Sequence, residues 1–186
     1  MHIAEAIRAR RSIKRFTNRE LTREDIASLL DAASLAPNHR LTQPWRFYVL
    51  GPDARQAYGD ALGARKAKKI EDAALAQKTR ETTAADHRTL PAMIAVAVAR
   101  NENPEIAEED YAAAMMAIQN LALAAVERGL GTHIKTGAIM DDPAARAAVG
   151  VRGNERIVAI VNVGEPAETP PEKPRQPASA FTTWVP

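Results

Sequence analysis

The chain has no cysteine among its 186 residues. That excludes disulfides, thiolate nucleophiles and Cys-ligated zinc or iron–sulfur centres, and it is silent on redox compartment. Aromatic residues make up only 4% and do not interleave with basic ones, so a nucleic-acid partner is not expected. No apolar run reaches membrane-spanning length: the longest nearly apolar stretch, Tyr111 to Val126, is too short and carries Gln119 and Asn120. His2, Arg8 and Arg10 interrupt the N-terminus where a signal peptide needs an apolar core. A cytoplasmic protein without membrane attachment is the expectation. The four histidines, His2, His39, His87 and His133, show no metal-ligand spacing, and His-Glu-x-x-His is missing, so no metal is expected. Gly131 to Thr136 ends in Lys-Thr, but Ile134 stands where a phosphate-binding P-loop requires glycine. No Gly-x-Gly-x-x-Gly opens a helix either. Ser12 has no His/Asp pair nearby in sequence, and Glu108, Glu109 and Asp110 read as acids favouring a helix N-terminus.

What is present is ordinary for a globular protein: 46% hydrophobic residues and a net charge of +2. The length suits one sizeable domain over 1–186, with the proline-crowded 166–186 as an extended C-terminal tail. Ile3, Ala6 and Ile7 share one face of a short helix. Thr22 and Asp25 pattern as a capping box, with Leu21 and Ile26 as its hydrophobic staple. Ile26, Leu29, Leu30 and Ala33 continue that helix until Pro37 stops it. Trp45 to Leu50 reads as a strand with Trp45, Phe47 and Val49 on one side. Residues 53–80 read as one or two exposed, highly charged helices. Met93 to Ala99 and Ile157 to Val163 read as buried strands. Between them Glu105 to Arg128 forms the longest helix, apolar over more than one stripe and therefore covered by its own domain or by a partner. Gly129 and Gly131 end it, a short strand runs through Ile134, and Asp142-Pro143 starts a helix that Gly150 stops. Alternating strands and helices by themselves suggest a parallel α/β sheet.

Three segments carry the candidate chemistry. The first is Arg10-Arg11-Ser12-Ile13-Lys14-Arg15-Phe16, whose cations and hydroxyl suit phosphate oxygens. The others are Pro37-Asn38-His39-Arg40-Leu41-Thr42-Gln43-Pro44-Trp45-Arg46-Phe47 and Gly131-Thr132-His133-Ile134-Lys135-Thr136-Gly137. With these pieces in this order the chain resembles the FMN-dependent nitroreductase superfamily, in particular its compact branch of minimal NAD(P)H nitroreductases.

The resemblance implies an α+β fold: a three-layer sandwich with a mixed, mainly antiparallel sheet, helices on both faces, and a homodimer packed on the long apolar helix. It implies FMN at the subunit interface. Arg10, Arg11 and Ser12 would hold the phosphate and ribityl end, and Lys14 would reach the pyrimidine edge of the ring. Asn38, His39, Leu41 and Gln43 would come from the other subunit. The backbone of Ile134, Lys135 and Thr136 would meet the flavin N5 and O4, and Lys173 and Arg175 would close over the phosphate. Trp45 is assigned to the core. No side chain need act as acid or base, because the flavin carries the chemistry. NAD(P)H would reduce it, leave, and be replaced in a ping-pong cycle by a nitroaromatic, quinone or similar small acceptor. A specialised flavin reaction such as flavin breakdown or dehalogenation, and a flavin-binding protein without turnover, are the alternatives.

Overall fold

The computed structural model describes residues 1–186. The two most apolar strands form the middle of the sheet. β2 (Ala92–Ala99) and β4 (Glu155–Gly164) pair with each other, while β1 (Trp45–Val49) flanks β2 and β3 (Gly131–Lys135) flanks β4. All three pairings are antiparallel, contrary to the parallel sheet that strand–helix alternation suggests. The reason lies in the connections. β1 and β2 are joined by two successive helices, α3 (Pro52–Ala67) and α4 (Ala73–Arg88), which return the chain to the end where it left. The single helix α5 (Pro104–Glu127) does make a crossover, from β2 to β3, but β4 then inserts between them, antiparallel to both.

Period-two alternation divides the core into two clusters, one per face of the sheet. Ile94, Val96, Val98 and Val161 pack with Leu29 and Ala33 of α2 (Arg23–Ser34) and with Ile118 and Leu121 of α5. Met93, Ala95, Ala97 and Ile160 face Tyr58 and Ala61 of α3 and Val149 of α6 (Pro143–Val149). Helices therefore cover both faces. Small residues let α5 lie close to the sheet, with Ala113, Ala114, Ala117 and Ala125 all fully buried. Its outer side leaves Tyr111 and Met116 exposed, so its own fold covers only part of this helix. No helix is long and apolar enough to cross a membrane.

Local signals in the chain correspond to real contacts. Thr22 Oγ1 accepts from the Asp25 amide at 3.1 Å while Asp25 Oδ2 accepts from the Thr22 amide at 3.0 Å, completing the capping box. Asp142 caps α6, and Gly150 stops it in the left-handed region at φ 72°. Residues 53–80 are less exposed than expected. Gly59 and Gly63 let α3 and α4 touch, since a Cβ on Gly59 would sit 2.7 Å from the His87 Cβ and one on Gly63 would sit 2.8 Å from the Arg80 Cα. This close packing buries Tyr58, Thr83 and His87. Trp45 is in the core and Phe47 packs against it, but Val49, at the strand's end, is exposed. Ile3 and Ile7 of α1 (Ile3–Ala9) also lie largely in solvent, and only Ala6 is buried.

Candidate active site

The N-terminal cations are held by backbone pairing. After α1 the chain runs extended along the free edge of β3. Ser12 bridges Thr132 in parallel, and the Ile13 amide donates to the Thr132 carbonyl at 2.9 Å. Ile13 is buried, and a Cβ on Gly131 would collide with its Cγ1, so that glycine lets the segment lie down. With Ile13 pointing inward, Ser12 and Lys14 turn outward and are exposed.

The C-terminal tail then lies along the same segment. Thr17 donates its amide to the Glu165 carbonyl at 2.9 Å, Ala167 donates to the Arg15 carbonyl at 3.0 Å, and Phe16 bridges Pro166. This antiparallel run brings Lys173 and Arg175 to a cleft of about 640 Å³ that they share with Arg10, Arg11, Ser12 and Lys14. Two tail acids are present as well: Glu172 pairs with Arg11 at 3.2 Å and Glu168 with Arg15 at 3.7 Å. Arg11 Nε is buried and makes no hydrogen bond. A donor set of guanidinium, ammonium and hydroxyl groups suits a phosphate, which arginine can grip through two parallel N–H bonds.

The third sequence segment joins the first. On β3, His133 lies opposite Asn162 and Lys135 opposite Ile160. Lys135 is half-buried, and burial followed by the charge of Lys66 lowers its pKa from the usual lysine value. His133 is lowered by burial first and then by the charges of Lys135 and Lys14. The chain leaves the strand through Thr136, exposed, and Gly137, whose φ of 125° favours glycine.

Asn38, His39, Leu41 and Gln43 lie elsewhere. His39 and Leu41 fall in a single 3-10 turn against the first half of α5. His39 Nδ1 meets Glu109 at 2.8 Å, Arg40 meets Glu105 and Glu109, and Thr42 Oγ1 donates to buried Asp110 at 2.6 Å. The acids Glu109 and Asp110, read from sequence as helix-terminus charges, thus also tether this turn. Arg40, Leu41 and Gln43 all have positive φ, and the Leu41 and Gln43 side chains are exposed. Thr132 shares a row of the sheet with Ala92, whereas Trp45 shares one with Val98. Six residues along the strands and three strands across separate them by about 20 Å and about 14 Å in the two directions. One chain therefore gathers the first and third segments and the tail, and leaves the second apart.

Sequence reasoning singled out neither Asn162, which is buried opposite His133, nor Lys66 and His87, which Thr83 joins at the ends of α3 and α4. The alternation of β3 already puts His133 and Lys135 on one face, but no local signal ties them to helices that precede them by dozens of residues.

A family model described as the Nitroreductase family matches residues 7–165. A Bacillus subtilis protein provisionally named NAD(P)H nitroreductase YfhC is 34% identical over 175 residues, covering 94% of this chain and 90% of that one. The crystal structure of a nitroreductase-like family protein from Bacillus cereus superposes with a TM-score of 0.87 at 28% identity, covering 100% of this chain and 96% of the other. A protein from Desulfovibrio desulfuricans, provisionally named a nitroreductase and solved in complex with FMN, gives 0.73 at 26% identity, covering 99% and 96%.

Proposed function

This chain belongs to the Nitroreductase family, a family of oxidoreductases, and from that premise we propose that it is a homodimeric FMN enzyme of the cytoplasm that uses NAD(P)H to reduce nitroaromatics, quinones or similar acceptors. One observation carries it: Arg10, Arg11, Ser12, Lys14, Lys173 and Arg175 line a single cleft, although the sequence separates them by the whole sheet.

The fit to FMN follows from the donors. Arg10, Arg11 and Ser12 would bind the phosphate and ribityl end, and the unpaired Arg11 Nε is a donor still free for it. Lys173 and Arg175 would cover that phosphate from the tail. Lys14 would hold its charge against the pyrimidine edge and favour the electron-rich ring. The backbone of Ile134, Lys135 and Thr136 would line the opposite ring edge. When bound, FMN supplies the hydride acceptance and electron delivery of the ping-pong cycle. No side chain is assigned to acid or base work, and solvent protonates the product.

Asn38, His39, Leu41 and Gln43 would complete the site from a second copy, because their distance from the cleft prevents them from reaching it within one chain. Apolar side chains in search of cover support that assembly: Ile3, Ile7, Leu35, Leu41, Met116 and Trp184 are all exposed.

The first test is an absorbance spectrum of freshly purified protein, followed by assay of NADH and NADPH oxidation with a nitroaromatic and a quinone. Flavin bands with acceptor-dependent turnover are expected. A colourless protein that stays colourless after incubation with FMN contradicts the proposal. Bound FMN that neither cofactor reduces identifies a binding protein instead, and a screen of flavin breakdown and dehalogenation tests the specialised reactions.

A further inference from the structure

The tail that carries Lys173 and Arg175 to the cleft is fastened by main chain only at its root. Its last main-chain bond to the rest of the chain runs from the Ala167 amide to the Arg15 carbonyl. Beyond that point Pro170, Pro171 and Pro174 have no amide to extend the pairing, and every residue from Pro171 onward is exposed. Two polar ties remain. Glu168 meets Arg15 at 3.7 Å with both side chains mostly in solvent, and Glu172 meets Arg11 at 3.2 Å.

The second tie is the better anchored. Arg11 is fixed independently of the tail, because its Nη1 donates to the Arg8 and Arg10 carbonyls and its side chain is only 20% exposed. The other edge of the guanidinium carries Nη2 and Nε side by side, the pair that grips an oxyanion through two parallel bonds. Glu172 Oε2 accepts from Nη2 alone, while the buried Nε has no partner. Glu172 therefore holds half of an edge that a phosphate would hold whole. Its neighbours in the tail are cations. Lys173 and Arg175 join no ion pair, and they share the cleft with Arg10, Arg11 and Lys14. A positive strand laid along a positive wall needs an anion between them. Glu172 is the anion that the chain itself supplies there, since Glu168 turns to Arg15, outside the cleft lining.

We propose that residues 168–175 form a strap, hinged at Ala167 and latched by Glu172 on Arg11, which the phosphate of the cofactor unlatches. This rests on the flavin reading above. One anion replaces another on the same guanidinium edge: the Glu172 carboxylate leaves Nη2, the phosphate takes Nη2 and Nε, and Lys173 and Arg175 close on it from the strap. Glu172 thus slows entry of the cofactor, and the two tail cations slow its departure.

Stopped-flow mixing of FMN with flavin-stripped full-length protein, followed by dilution of the loaded form, separates the two rates. Glu172→Gln should associate about threefold faster, the size of one exposed ion pair, with dissociation unchanged. Replacing Lys173 and Arg175 together by Met should speed dissociation about tenfold, with a smaller effect on association. Trypsin reads the latch without flavin, because it can cut after Arg175, whereas Pro174 shields the bond after Lys173. Release of residues 176–186, scaled to the same cut in urea-unfolded chains, should be about threefold faster in Glu172→Gln than in the parent. Saturating FMN should slow both to one rate. Association at the parental rate in Glu172→Gln, or equal release from parent and variant without FMN, overturns the inference. A protein that takes up no FMN loses the flavin reading, and the cleavage comparison still decides the latch.

Discussion

The cationic cleft and the turn at residues 38–43 are both assigned to one cofactor, yet they are built in opposite ways. The cleft rests on main-chain pairing: the N-terminal segment on β3, and the tail on that segment. Its side chains can change without moving the backbone. The turn has no strand partner and is tied by side chains, His39 to Glu109 and Thr42 to Asp110, through residues at positive φ. Strained backbone of this sort persists only where its surroundings hold it. The donors of the first region all come from one chain, and the second leaves the Leu41 and Gln43 side chains exposed.

Substitutions can break either region alone. In the cleft, Arg10→Ala should weaken FMN retention by about 1–3 kcal/mol with little change in folding, measured by equilibrium dialysis against thermal unfolding. Unchanged FMN affinity would remove Arg10 from the site. In the turn, Thr42→Val leaves buried Asp110 without its hydroxyl donor and should cost about 1–3 kcal/mol of stability, with a smaller loss of FMN affinity. Equal losses of affinity in the two variants would erase the distinction between the regions.

Acid should affect the helical hairpin more than either region. Burial lowers the pKa of His87 from the ordinary value, so the unfolded chain takes up its proton first and folding loses stability as pH falls through about 6.5. Denaturant midpoints against pH should show that loss in the parent and a shallower one in His87→Gln. Identical slopes would assign the loss to other groups. The smallest effect belongs to the tail. Glu172 competes for Arg11 through an exposed pair, and Glu172→Gln should tighten FMN binding by less than ~1 kcal/mol. A weaker affinity instead would make Glu172 a support of the cleft.

The same contrast explains what could be read from the chain. Interactions between residues close in sequence were legible: the Thr22–Asp25 box, the Asp142 cap with its Gly150 stop, and the apolar runs of β2 and β4. Strand direction was not, because period-two alternation is the same in either direction and the connections decide it: the two-helix link between β1 and β2, and the insertion of β4 between β2 and β3. The burial of Tyr58 and His87 was hidden by the charge around them, since Gly59 and Gly63 act only once α3 and α4 meet. In the cleft the run from Arg10 to Lys14 was visible as charge, and the arrival of Lys173 and Arg175 depends on tail pairing that no local pattern encodes. The tethers from Asn38–Gln43 to α5 join residues almost seventy apart.

Subunit mixing tests most directly the claim that each site joins one chain's cleft to another chain's turn. Arg10→Ala chains, weak in FMN binding, and Thr42→Val chains, with the smaller loss, would be unfolded together, refolded as a mixture and titrated with FMN. A dimer with one chain of each kind has one site carrying both defects and one carrying neither, so the mixture should regain a fraction of sites with parental affinity. Failure to regain any such sites, once mixed dimers are shown to form, would mean that cleft and turn of the same chain serve the same site, or that the turn serves none.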